Sequence, residues 1–280
     1  MEFRWFGSLE RQVPVIGQGT WYQPKDNRRD AIDALKSGID YGMTHIDTAE
    51  MYLSGEAEIW VGQAIKLQRD KIFLVSKVLP QNASRCGTVV ACEGSLERLG
   101  TDYLDCYLLH WRGSIPLEET ILAFERLQDE GKIRSWGVSN FDVQDVREAK
   151  AIKDRNPVCD QVLYHLRERA IEHALLPFCE QHRIAVVAYS PFGHGDFPDL
   201  RSAPGEVLKK IAGRHHASPR QVALRFLVRR PMTFTIVKAS DPQHVADNAG
   251  AGDLQLTEAE YNEIDHTFPL APRPAELPVL

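Results

Sequence analysis

The 280-residue sequence holds five cysteines, Cys86, Cys92, Cys106, Cys159 and Cys179, an odd number with no C-x-x-C spacing. That usage offers neither a disulfide framework nor a zinc site, and it suits a reducing compartment. Long apolar runs are missing, since none approaches the ~18 residues that a membrane-spanning helix needs. The opening Met1-Glu2-Phe3-Arg4 lacks the charged-then-apolar pattern of a secretion signal, so a cytoplasmic protein without a membrane partner is expected. Basic runs are scarce as well. The formal charge is -6, and Arg28-Arg29, Lys209-Lys210 and Arg229-Arg230 stand as isolated pairs in segments of helical pattern. They read as solvated faces rather than a phosphate-binding surface, and no nucleic-acid partner is expected.

Two motifs are absent. Gly17-Gln18-Gly19 continues as Thr20-Trp21-Tyr22, so the third glycine of a Rossmann dinucleotide-binding turn is lacking. The chain also has no Tyr-x-x-x-Lys, the other common arrangement for nicotinamide-dependent carbonyl reduction.

What the sequence does have is alternation. Strand-length apolar runs occur at Val15–Gly17, Thr44–Thr48, Ile72–Val78, Tyr103–Leu109, Ile133–Ser139, Asp160–Tyr164, Ala185–Ser190 and Phe234–Lys238. Helical patterns separate them at Arg28–Gly42, Gly55–Leu67, Val89–Leu99, Leu117–Glu130, Val143–Ile152, Ile171–Gln181 and Ser218–Val228. In the first, Ile32, Leu35 and Ile39 share a face and Gly42 is placed to stop the helix; in the last, Ser218-Pro219 forms a cap and first-turn pair. Eight strands alternating with helices, with no linker-rich break, predict an α/β protein with a single (β/α)8 barrel over residues 1–280. Phe3–Phe6 and Gln12–Pro14 around Gly7-Ser8 predict a short hairpin capping one end. Thr257–His266 reads as a further helix, and the proline-rich Phe268–Leu280 as an extended loop.

Barrel chemistry sits at the C-terminal ends of the strands. There the second strand leads into Asp47 and Tyr52, the third ends in Lys77 and the fourth in His110-Trp111. Alone, each has a plain structural explanation: an ion pair, a packed tyrosine, a satisfied core histidine. Together they suit proton delivery to a carbonyl. A phenol near its ordinary pKa of ~10 donates best when its anion is stabilised, which a neighbouring ammonium does. Asp47 would keep Lys77 charged where burial alone would neutralise it, and His110 would position the substrate oxygen. None of the four is a nucleophile beside a base, so acyl transfer is not indicated. His45, deeper on the strand, is expected to be a hydrogen-bonded core residue. Trp21, Tyr22, Tyr52 and Trp111 suggest an aromatic substrate pocket. A metal-assisted hydrolase built on His45, Asp47, His110 and His165 is the competing chemistry, which a chelator would separate.

The motifs themselves resemble those of the aldo-keto reductase superfamily over nearly the whole chain. The matching segments are Val15–Trp21, His45–Tyr52 with Gly55-Glu56, Leu108–Trp111, Trp136–Phe141, Gln161-Val162 and Ala188–Pro191. The resemblance implies catalysis by Asp47, Tyr52, Lys77 and His110 without a metal. It further implies a nicotinamide site at Ser139, Asn140 and Gln161, with Tyr189 stacking on the ring beside Ser190, and a 2′-phosphate and adenine site at Lys238, Ser240, Asp247 and Asn248. His244 stands where many members carry arginine, which weakens the grip on the phosphate. NADPH is therefore expected, with NADH possible. Arg112 stands where proline is frequent, and the loop 192–200 is short for a strap over the cofactor. The resemblance implies a monomeric reductase of aldehydes or ketones; a cofactor-binding regulatory subunit without turnover is the alternative.

Overall fold

The computed structural model describes residues 1–21, 27–152 and 156–280. The chain opens with an antiparallel hairpin, β1 (Phe3–Trp5) and β2 (Gln12–Pro14). Its turn places Gly7 at φ +59°, where a Cβ would meet the Val158 carbonyl oxygen at 2.3 Å, so only glycine lets the hairpin lie flat on the barrel. Phe6 then plugs the barrel floor. Its ring is fully buried against Phe73 at 4.7 Å and Phe234 at 4.9 Å.

Eight parallel strands follow and close on themselves. They are β3 (Ile16–Gly19), β4 (His45–Asp47), β5 (Phe73–Val78), β6 (Cys106–Leu109), β7 (Trp136–Ser139), β8 (Cys159–Leu163), β9 (Ala185–Tyr189) and β10 (Thr233–Val237). Neighbours in sequence are neighbours in space, with β10 pairing β3 to complete the ring. This is the (β/α)8 barrel with a hairpin cap that the alternation predicts. Several strands are shorter than their apolar runs: below β6 and β7 the pairing continues only as a Leu104–Ile133 bridge. The Asp105 carboxylate accepts from the Leu74 amide on β5 at 3.0 Å.

The covering helices are α1 (Arg28–Asp40), α2 (Glu56–Ile65), α3 (Arg85–Leu99), α4 (Leu117–Asp129), α5 (Val143–Ile152), α6 (Leu175–Gln181), α7 (Ala203–Arg214), α8 (Pro219–Leu227), α9 (Pro242–Gly250) and α10 (Glu258–Thr267). In α1 the buried Ala31, Ala34, Leu35, Gly38 and Ile39 form one stripe, and Gly42 at φ +86° ends the run two residues past the helix. Ser218 and Gln221 form a reciprocal capping box on α8.

Two helices escaped the pattern reading. In α7 the opening Ala203-Pro204-Gly205 looks like a loop, yet Ser202 caps it through the Gly205 amide; α9 is short and carries few apolar residues, and Asp241 caps it. Arg229 and Arg230 lie beyond α8 and are not a solvated helix face: Arg229 pairs with Glu172 at 2.9 Å and Arg230 with Glu180. The tail after α10 has no regular structure, as its prolines predict, and it runs back until Leu280 lines the barrel mouth.

Candidate active site

The mouth at the C-terminal ends of the strands opens into a cleft of about 280 Å³. Strand register brings its polar groups to one level: Asp47 on β4 pairs with Gly19 and Val75, while Ser139 on β7 pairs with Gln161 on β8. Tyr52 is not on a strand. It is held by a tight loop in which Leu53, Ser54 and Gly55 are all left-handed, at φ +51°, +56° and +92°. Two non-glycine residues in that region cost roughly 1–3 kcal/mol each, a strain that surrounding packing must offset.

Lys77 is fully buried and has three protons to satisfy. It donates to Asp47 Oδ1 at 2.5 Å, to the Thr48 carbonyl at 2.9 Å and to Tyr52 Oη at 3.2 Å. Because Oη accepts from the ammonium, the phenol's own proton is left to point elsewhere, and Tyr52 lines the cleft. Burial pulls Lys77 down, but Asp47 and Tyr52 outweigh it and hold the ammonium above its ordinary value. Burial also raises the Tyr52 phenol; Lys77 opposes that and Asp47 reinforces it, with a net upward shift. Stabilisation by Lys77 thus offsets part of the burial penalty without lowering the phenol below its usual range. The group stays protonated at neutral pH.

His110 packs edge-on to Tyr52 at 5.7 Å and against Trp111 at 4.8 Å. Burial, then the Lys77 charge, pushes its ring down to about 2, so the imidazole is neutral. Its Nδ1 is buried without a hydrogen-bond partner among the described residues. His45 departs from expectation. It is fully buried, but neither ring nitrogen has a partner among the described residues, and burial followed by Lys77 pushes it down to about 3. It is a neutral ring in an aromatic box with Phe6 and Phe73, made possible because Gly17 leaves room: a Cβ there would lie 2.9 Å from the imidazole.

On the far wall, Ser139 Oγ donates to the Gln161 carbonyl at 2.8 Å. The Asn140 amide, at φ +60°, donates to the His110 carbonyl at 3.2 Å and accepts from the Tyr189 hydroxyl at 2.9 Å. Gln161 Nε2 reaches across the barrel to Asp47 Oδ2 at 2.7 Å. Ser139, Asn140, Gln161, Tyr189, Ser190 and Lys238 share the cleft with Asp47, Tyr52 and His110, as do Trp21 and Trp111. Tyr22 lies outside the described residues. Ser240, His244, Asp247 and Asn248 do not line the cleft; Ser240 precedes α9, on which His244 is exposed and Asn248 buried. Asp247 accepts from Ser218 Oγ at 2.8 Å, tying α9 to the start of α8. The Lys238 ammonium lies 3.4 Å from Ser240 Oγ with no carboxylate against it among the described residues. An aromatic face, converging carboxamides and an uncompensated cation fit a pyridine nucleotide.

Sequence reasoning missed several contributors. Met51, Phe192, Ile236 and Leu280 complete the cleft, and the His194 ring stacks on Trp21 at 5.5 Å. Glu50 fastens the following loop by accepting from the Leu79 amide at 2.7 Å and Asn82 at 3.0 Å. Buried Glu58 accepts from Ser76 and Arg98, each at 2.6 Å, locking β5 beside Lys77. An acid on the apolar face of α2 was the available signal for Glu58.

Comparison with known proteins gives consistent results. The sequence pattern of the Aldo/keto reductase family matches residues 15–267. The chain is 45% identical to methylglyoxal reductase YeaE of Escherichia coli (strain K12) over 92% of each chain. It is 34% identical to a glyoxal reductase of Bacillus subtilis (strain 168), covering 91% of this chain and 88% of the relative. A crystal structure of an aldo/keto reductase from Klebsiella pneumoniae in complex with NADP and acetate superposes with a TM-score of 0.93 at 44% identity, covering 99% of both chains. Another from the same organism, in complex with NADPH, also gives 0.93 at 43% identity, over 100% of this chain and 99% of the other.

Proposed function

The chain belongs to the aldo/keto reductase family, and on that premise we propose that it reduces small aldehydes and ketones with NADPH, Tyr52 supplying the proton. NADPH, when bound, supplies the hydride that the carbonyl carbon takes up. Ser139, Asn140 and Gln161 would hold its carboxamide, Tyr189 would lie against the ring beside Ser190, and Lys238 would meet the 2′-phosphate with Ser240. His244, Asp247 and Asn248 on α9 would lie toward the adenine.

The observation that carries this reading is the direction of the hydrogen bond at Tyr52. Lys77 donates to Oη, so the phenolic proton is free for a substrate oxygen in the cleft. A developing alkoxide is far more basic than a phenolate, so transfer from Tyr52 is downhill even with its pKa raised. The phenolate left behind rests on the Lys77 ammonium, which Asp47 keeps charged. His110 is neutral, and with Nδ1 buried away from any partner its other nitrogen is the one available to steer the carbonyl oxygen.

Trp21, Trp111 and Met51 make the substrate end apolar, with Tyr22 assigned there from sequence. That suits small or flat uncharged carbonyls, and the relatives named for methylglyoxal and glyoxal supply the first compounds to try. All five cysteines are free thiols, in keeping with action in the cytoplasm, and we take the active form to be a monomer. The test is NADPH oxidation with methylglyoxal, glyoxal and a nitrobenzaldehyde. Multiple turnover is expected; nucleotide binding without turnover would refute the catalytic reading and favour a regulatory one.

A further inference from the structure

We propose that Gln161 is a positioning residue of the proton donor, acting through Asp47 and not solely as a holder of cofactor. The inference rests on the reading of Tyr52 given above and extends it. Asp47 is 1% exposed, and a buried carboxylate stays ionised only when its oxygens are hydrogen-bonded. It has two such bonds. Lys77 takes Oδ1, and Gln161 Nε2 takes Oδ2 at 2.7 Å from a strand separated from β4 by β5, β6 and β7. The bond therefore spans the barrel mouth. The Gln161 carbonyl meanwhile accepts from Ser139 Oγ and the Asn140 backbone N–H, at 2.8 and 2.9 Å, so the residue also anchors the turn whose Asn140 side chain ties His110 to Tyr189.

Removing the amide has a definite chemical consequence. Burial already raises the Asp47 carboxyl, and Lys77 and Gln161 are the groups opposing it. The other titratable neighbours offer no replacement: His45 and His110 are neutral, Tyr52 faces Lys77, and Cys159 is a buried thiol pushed well above its ordinary value. With Oδ2 dry and unpaired, Asp47 takes a proton. Lys77 then loses its counter-charge in a fully buried place, where burial favours the neutral amine. A neutral amine accepts hydrogen bonds, so the Tyr52 O–H turns toward Lys77 and away from the cleft.

The test uses the full chain with Gln161→Met, which keeps the length and removes the donor, and Gln161→Glu, which donates only when protonated. Gln161→Met is expected to lower kcat about tenfold or more at saturating NADPH and methylglyoxal. In the cofactor-free protein, ultraviolet difference titration against Tyr52→Phe should show the Tyr52 phenol ionising at higher pH. Gln161→Glu should recover activity toward acid pH, where its neutral acid can donate to Asp47. A Gln161→Met enzyme with weakened NADPH binding but unchanged saturated kcat and unchanged Tyr52 titration would overturn the proposal. Should Gln161→Met not fold, as circular dichroism would reveal, the pH profile of Gln161→Glu decides: a profile parallel to the wild type refutes. Failure of the underlying reading is separate, since it would appear as Tyr52→Phe turning over normally whatever Gln161 does.

Discussion

Arg112 clasps Glu148 with both terminal nitrogens, at 2.7 and 2.8 Å, and shares one of them with Asp145 at 3.0 Å. The residue before it is Trp111, which lines the cleft, so the pairing pins the loop after β6, and Trp111 with it, to α5. Arg112→Ala is expected to raise KM for methylglyoxal several-fold with kcat nearly unchanged. The three side chains are between 30% and 45% exposed, so stability should fall by no more than about 1 kcal/mol. Steady-state kinetics alongside urea unfolding checks both; an unchanged KM would show that the rim does not depend on this contact.

His45 makes acid destabilisation readable. Its folded pKa is about 3, below the ordinary histidine value, so the unfolded chain binds the extra proton between about pH 6.5 and 3. Stability from this group is complete above that window and is lost as pH falls through it. Between pH 7 and 4.5 the wild type should lose about 2–3 kcal/mol more than His45→Leu. Equal pH dependence in urea unfolding would mean that the ring is not held neutral.

Asp160 should behave in the opposite sense. It is fully buried on β8, neither oxygen has a well-formed partner among the described residues, and burial raises it well above the carboxylate range. A folded acid that keeps its proton longer than the unfolded chain contributes stability at low pH and loses it as pH rises above the unfolded value. Asp160→Asn replaces a neutral acid with a neutral amide, so its advantage over wild type should grow from pH 4 to pH 8 in thermal unfolding. A penalty that grows over that range would contradict the neutral form.

The barrel was legible because its signals are local: apolar runs of strand length, helical stripes such as Ala31 to Ile39, and the Ser218 cap. Asp47, Tyr52, Lys77 and His110 were legible because strand ends converge in this architecture, so residue type and position suffice. What stayed hidden depends on distant partners. The Gln161 bond to Asp47 joins residues 114 apart, and Arg229 and Arg230 look like surface charge until Glu172 and Glu180 are folded against them. His45 read as a hydrogen-bonded core residue because a buried imidazole ordinarily finds a partner. The aromatic box that instead surrounds it comes from Phe6 in the hairpin and Phe73 on the next strand. The helix α7 was masked by a proline and glycine in its first turn, where they do no harm.

In the proposed reaction the proton comes from Tyr52, whose oxygen accepts a hydrogen bond from Lys77 and whose side chain lines the cleft. Tyr52→Phe removes that hydrogen and leaves Asp47, Lys77, Gln161 and the cofactor wall in place. At saturating NADPH and methylglyoxal, kcat should fall by about 10²–10⁴-fold while the NADPH dissociation constant stays close to wild type. A Tyr52→Phe enzyme that turned over at near the wild-type rate would contradict the account.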